Sequence, residues 1–203
     1  MHLLAEQLLA SGRVANVALV GHPGVGKTTV AAAVLEHWKV RDRFNKIVRL
    51  DGISQKPDIR SLCQRLWDDI HDDKERYPPW LKQYFKPLLA RGELAKLLPQ
   101  DTLLLLDDVW TGDAFSKLNF CSDKVDSSMV LVTSRNRELL TEADVPLKEC
   151  KVVEVPALEF ESARRLLCQH AFPGKSAPTG DAWMTLIEKV VARGEHLPLA
   201  LTV

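Results

Sequence analysis

No apolar run in this 203-residue chain approaches the ~20 residues that a bilayer-spanning helix needs; runs such as 103–106 fall far short. The first residues, Met1, His2, Leu3, Leu4, Ala5 and Glu6, lack a basic region leading into a long apolar stretch, so no secretory signal is expected. Net charge is also missing, because 27 basic residues balance 27 acidic ones. No long-range field gathers polyanions, and a nucleic-acid partner is not expected. Cysteine is scarce: Cys63, Cys121, Cys150 and Cys168 stand far apart with no CxxC pair. That spacing argues against a zinc or redox site and leaves the four thiols structural or incidental. Neither internal repeats nor low-complexity tracts are found. The absences together give the expectation of a cytoplasmic protein with no transmembrane segment.

What is present suits a folded domain. A chain of this length, 46% hydrophobic and 27% charged, can bury one full core and a small appendage. Short β-rich runs at 17–20, 47–50, 103–106, 130–133 and 152–155 alternate with helical patterns, and most lack polar alternation. Strands of that kind belong in a parallel sheet covered on both faces, so the expected fold class is α/β. A helix over 28–38 places Ala31, Val34, Leu35 and Trp38 on one face; Ile59, Leu62, Cys63, Leu66, Trp67 and Ile70 repeat the same period, with Pro57 suited to a first turn. Residues 71–79 read as a charged surface loop before a helical stretch at 94–98. Beyond Pro156, helices are expected at 162–171 and 183–192, separated by a loop over 173–178. The resulting division is an α/β lobe, 1–155, and the start of a helical lobe, 156–203. Residues 199–203 read as the inside of a helix, so the chain is expected to be a piece of something longer.

Gly21, His22, Pro23, Gly24, Val25, Gly26, Lys27 and Thr28 match GxxxxGK[ST] between an apolar strand and a helix. Glycines at 21, 24 and 26 let successive backbone N–H groups turn into one anion-sized concavity at a helix N-terminus. Lys27 adds a mobile positive charge for β and γ phosphates, and the Thr28 hydroxyl suits Mg²⁺. His22 reads as a tolerated loop residue. The run 103–106, followed by Asp107 and Asp108, has the form of a strand delivering a carboxylate to a metal at its C-terminal edge. Asp107 is the metal-side acid, and Asp108 is placed to orient or deprotonate an attacking water. Strand 130–133 leads to Ser134 and Arg135 at the same edge, where Arg135 suits a γ-phosphate contact; a surface arginine opening a helix at Asn136 is the alternative. Lys124, Val125 and Asp126 superficially suggest a guanine-reading KxD, but Asp123 stands where that motif wants Asn or Thr, so GTP is discounted.

Six segments, GHPGVGKTT (21–29), ISQKPDIRSL (53–62), LLLLDDVW (103–110), VLVTSRN (130–136), LLCQHAF (166–172) and HLPLAL (196–201), occur in the order and spacing of the NB-ARC domain. The chain thus resembles the STAND-class nucleotide switch of plant NLR immune receptors and apoptotic regulators, with the tryptophan after the paired aspartates leaning toward the plant branch. The resemblance implies a P-loop NTPase sheet in which the Walker A and Walker B strands flank the sensor strand, followed by a helical ARC lobe. It implies ADP or ATP on Gly21, Pro23, Gly24, Val25, Gly26, Lys27, Thr28 and Thr29, with Mg²⁺ on Thr28 and Asp107. Asp108 becomes the hydrolytic acid, Arg135 the sensor, and Pro198 the GLPL proline that lies against the nucleotide. His196 stands where the family has glycine. The adenine-side segment is not recognisable at Gly12, Arg13, Val14 and Ala15. Winged-helix and repeat domains are expected beyond Val203, with self-association of the full-length protein on activation.

The leading expectation is an ADP/ATP switch with weak ATPase activity. A turnover ATPase of the AAA+ or helicase kind, an apoptotic-type switch and a nucleotide-free interaction platform are the alternatives; intact Lys27, Thr28, Asp107 and Asp108 argue against the last.

Overall fold

Each of the expected strands forms, and together they make one sheet. In the computed structural model, which describes residues 16–53, 55–70, 96, 98, 100–121, 128–143, 150–174 and 180–202, the strands are β1 (Asn16–Val20), β2 (Lys46–Leu50), β3 (Thr102–Val109), β4 (Met129–Ser134) and β5 (Cys150–Glu154). Around them lie α1 (Lys27–Leu35), α2 (Trp38–Arg43), α3 (Ile59–Ile70), α4 (Gly112–Leu118), α5 (Leu139–Glu142), α6 (Phe160–Ala171), α7 (Asp181–Arg193) and α8 (Pro198–Thr202). The strand order is β2-β3-β4-β1-β5, with parallel registers between β2 and β3, β3 and β4, and β4 and β1. This is the α/β P-loop arrangement that the resemblance implies, with β4 seated between β3 and β1.

The apolar runs without alternation are explained by burial on both faces. Ala18, Val20, Leu104, Leu106, Val130 and Val132 pack with Leu62, Leu66 and Trp67 of α3 and with Phe115 and Leu118 of α4. The intervening residues Val17, Leu19, Leu103, Leu105 and Leu131, which point the opposite way, are equally inaccessible. Each such side chain contributes about 2 kcal/mol by leaving water. Helix α3 begins beside Asp58, whose carboxylate accepts from Ser61 Oγ at 2.6 Å and from Arg60 N–H at 3.1 Å. The Ser61 hydroxyl is the main cause holding that carboxyl below its ordinary range. Pro57 therefore lies just outside the helix. Thr111 caps α4 by accepting from Ala114 N–H at 3.2 Å.

One expectation is corrected. The helix expected over 28–38 stops at Leu35; His37 is extended (φ −69°, ψ 128°) and Trp38 opens a separate helix. Trp38 is 65% exposed instead of joining Ala31, Val34 and Leu35 in the core.

Contacts divide the chain into two compact units: residues up to Val20 with Thr28–Val153, and Gly21–Lys27 with Glu154–Val203. In the second, Ala163 of α6, Ile187 and Val191 of α7 and Leu201 of α8 form a small core with Leu158, Phe160 and Leu166. The loop over 71–79, most of the stretch at 94–98, the segment at Lys124–Asp126 (with Asp123), the residues Gly12 to Ala15 and most of the loop at 173–178 lie outside the described residues.

Candidate functional site

The phosphate-loop motif folds as a glycine-dependent turn. Gly21, Gly24 and Gly26 all hold positive φ (155°, 76° and 95°), and Val25 N–H donates to His22 O at 3.3 Å. Val25 is buried, whereas His22 and Pro23 are exposed. Lys27, only 7% exposed, donates from Nζ to Gly21 O at 3.0 Å and His22 O at 2.9 Å, so its ammonium lies along the loop's own backbone. Within the same unit the start of α8 lies against this loop: Leu199 N–H donates to Gly24 O at 3.2 Å, and Pro198 Cγ would lie 3.9 Å from a Cβ on Gly26.

His196 takes the conformation that its position demands. Its φ is +57°, and that of Glu195 is +52°, a region that costs a side-chain-bearing residue about 1–2 kcal/mol. Compensating contacts hold it there: Leu158 N–H donates to His196 O at 3.1 Å, and the imidazole Nδ1 sits 3.0 Å from Leu158 O. The histidine in place of glycine thus leaves the 196–199 segment able to reach the phosphate loop. Gly24 has no such latitude. Its φ is +76°, and a Cβ there would come within 2.9 Å of Leu199 Cβ. Gly24→Val is expected to combine backbone strain with this clash, costing at least ~2 kcal/mol and lowering Tm by about 4–8 °C. Circular dichroism melts check this, and an unchanged Tm would mean that the loop is not held as described.

The acid edge is built by β3 and β4. Leu106 and Val109 are three residues apart on β3 but face Val132 and Ser134, two apart on β4, so β3 carries one extra residue. Asp108 absorbs this bulge with φ +60°, and the bulge re-aims the acids at the sheet edge. Asp107, 8% exposed, accepts at Oδ1 from Thr28 Oγ1 at 2.9 Å and from Thr133 Oγ1 at 2.7 Å. The Thr133 hydroxyl in turn accepts from Asp108 N–H at 2.8 Å. Asp108 Oδ2 accepts from Trp110 Nε1–H at 3.1 Å, and Arg135 Nε lies 3.5 Å from Asp108 Oδ1. Beyond β4, Ser134 Oγ donates to Val109 O at 2.6 Å and accepts from Asn136 N–H at 3.0 Å, which turns the chain toward α5. Arg135 does not open a helix, since α5 starts at Leu139.

Thr28, Asp107, Asp108 and Arg135 are thus brought to one edge, and Thr29 is exposed in the first turn of α1. Sequence reasoning did not single out Thr133 or Trp110 as site residues. The only signal for Thr133 was its place just before Ser134 and Arg135 at a strand end. Cys63 on α3 is fully buried, and burial pushes its thiol up to about 12.

Residues 1–177 match the NB-ARC domain. The chain belongs to the NB-ARC family. This NB-ARC chain is 28% identical over 188 residues to the probable disease resistance protein At5g04720 of Arabidopsis thaliana, covering 92% of the chain and 20% of that protein. It is 31% identical over 183 residues to the probable disease resistance protein At4g33300 of the same plant, covering 90% and 20%. The disease susceptibility protein LOV1, also from Arabidopsis thaliana, is 27% identical over 142 residues, covering 70% and 15%. The chain therefore spans less than a quarter of the length of these curated relatives. Membership in the NB-ARC family implies nucleotide binding.

Among the described residues, no helix is long and apolar enough to cross a membrane, and no group of three or more His, Cys, Asp or Glu side chains is placed to hold a metal alone. Mg²⁺ needs no such cage, because it takes one or two carboxylates and completes its shell with phosphate and water oxygens. A hydroxyl and a carboxylate 2.9 Å apart, Thr28 and Asp107, are hard oxygen donors that fit it.

Proposed function

We propose that this NB-ARC chain is the adenine-nucleotide switch of a plant NLR-type disease-resistance receptor, holding ADP at rest and ATP when active, with slow hydrolysis. The observation that carries this reading is the 2.9 Å contact between Thr28, which follows the phosphate loop, and Asp107, 79 residues away on β3. Backbone N–H groups over 21–29 and the Lys27 ammonium bind the phosphates; Thr28 and Asp107 would hold Mg²⁺, which would supply positive charge to offset that of the phosphates. Arg135 meets the γ phosphate, Pro198 lies against the nucleotide, and Asp108 takes a proton from the attacking water. The nucleotide-binding lobe is 1–155 and the helical ARC lobe 156–203. Winged-helix and repeat domains, self-association on activation and a cytoplasmic location complete the reading for the full-length protein.

Asp108→Asn tests the division of labour between the acids. Asparagine tolerates φ +60° and preserves shape, so the substitution removes the base without adding strain. Single-turnover phosphate release is expected to slow by about 100-fold, with ATP affinity within about threefold of the parent. Equal loss of ATP affinity in the Asp107→Asn and Asp108→Asn variants would refute the assignment.

A further inference from the structure

Three side chains at the β3–β4 edge close on one another. Arg135 Nε lies 3.5 Å from Asp108 Oδ1, its guanidinium carbon sits 4.6 Å from the centroid of the Trp110 ring, and Trp110 Nε1–H donates to Asp108 Oδ2 at 3.1 Å. The indole thus touches both members of the ion pair, one through its π face and the other through its only polar atom. Asp108 is fixed from behind, since its bulged backbone donates to Thr133 Oγ1.

We infer that Trp110 is a specificity-determining residue that lowers affinity for ATP relative to ADP by holding Arg135 in its pair with Asp108. The inference rests on the proposed role of Arg135 at the γ phosphate. A contact made in one state and lost in another biases the equilibrium by its own free energy, and only by that. ADP has no γ phosphate and leaves the cluster closed. ATP draws the guanidinium off the indole and away from a carboxylate that its backbone prevents from following. The pair is partly solvated, with side chains 43% and 39% exposed, so the ion pair itself is modest and the stacking on Trp110 adds a comparable amount. The stacking alone amounts to about a fivefold handicap for ATP, and the ion pair adds to it.

The test uses the whole chain, with calorimetric titration by MgADP and by the magnesium complex of a non-hydrolysable ATP analogue. Trp110→Leu removes both the π face and the donor; it is expected to tighten the analogue by about fivefold while leaving ADP within about twofold. Trp110→Phe keeps a weaker π face and is expected to give a smaller gain. In an Arg135→Ala background, Trp110→Leu should no longer change the ratio of the two affinities. An unchanged ratio in Trp110→Leu overturns the inference, as does the same change without Arg135. Parallel weakening of both nucleotides would mark Trp110 as structural only. If the parent binds both nucleotides and loses them on Lys27→Ala while the ratio ignores Trp110, this inference alone fails. If the parent binds neither, the switch reading falls with it.

Discussion

Lys27→Ala is expected to lower the affinity for ADP and ATP by at least about 100-fold while the sheet stays folded. Lys27 is only 7% exposed and its ammonium already donates to Gly21 O and His22 O, which holds it at the glycine-rich loop where the proposed reading puts the phosphates. Charge-assisted hydrogen bonds of this kind contribute about 1.5–3 kcal/mol each, and two of them give a loss of about 100-fold or more. Removing the side chain also releases the loop carbonyls that it bridges, so a small fall in Tm is expected alongside. The strands and their core do not involve Lys27, and far-UV circular dichroism should match the parent. A folded Lys27→Ala variant that binds ADP as tightly as the parent in calorimetry would show that residues 21–29 are not the phosphate site.

Asp107→Asn should abolish the magnesium dependence of ATP binding and cost about 100-fold in affinity for the magnesium complex, the equivalent of ~2.8 kcal/mol. Asparagine keeps an oxygen to accept from Thr28 and Thr133, which preserves the two contacts that pin this edge. It removes the charge that a hard divalent cation requires. Titrating magnesium against a fluorescent ATP analogue separates the effects: the parent should bind more tightly as magnesium rises, and the variant should give a flat response. A variant whose affinity still climbs with magnesium would place the metal elsewhere.

The strands were legible because a parallel sheet buried on both faces leaves continuous apolar runs such as 103–106, and β1, β2 and β4 begin or end within one residue of the expected positions. The phosphate loop was equally plain, since its glycines, lysine and threonine are contiguous. Contacts formed only in the folded chain were hidden. Thr133 reaches Asp107 across 26 residues, and Trp110 meets Arg135 only because a bulge re-aims the end of β3. Neither a bulge nor a cation over an indole leaves a periodic trace. The break between α1 and α2 escaped for a related reason: Glu36 and His37 carry no proline or glycine, and Trp38 continues the apolar period while facing solvent. Leu199, meeting Gly24 at the phosphate loop, looked like one more apolar residue of a helix.

The strand order also sets a timetable for synthesis. β1 leaves the ribosome first, yet its neighbours in the sheet are β4 and β5, so residues 16–20 have no partner until Ser134 and then Glu154 have been made. β2 likewise waits for β3, since Lys46 pairs with Thr102 and Leu50 with Leu106. Every pairing is long-range, and none is a hairpin that could form early and nucleate the rest. During translation the apolar segment of β1 must therefore stay exposed, or shielded by a chaperone, until β4 arrives to separate it from β3 and complete the centre of the sheet.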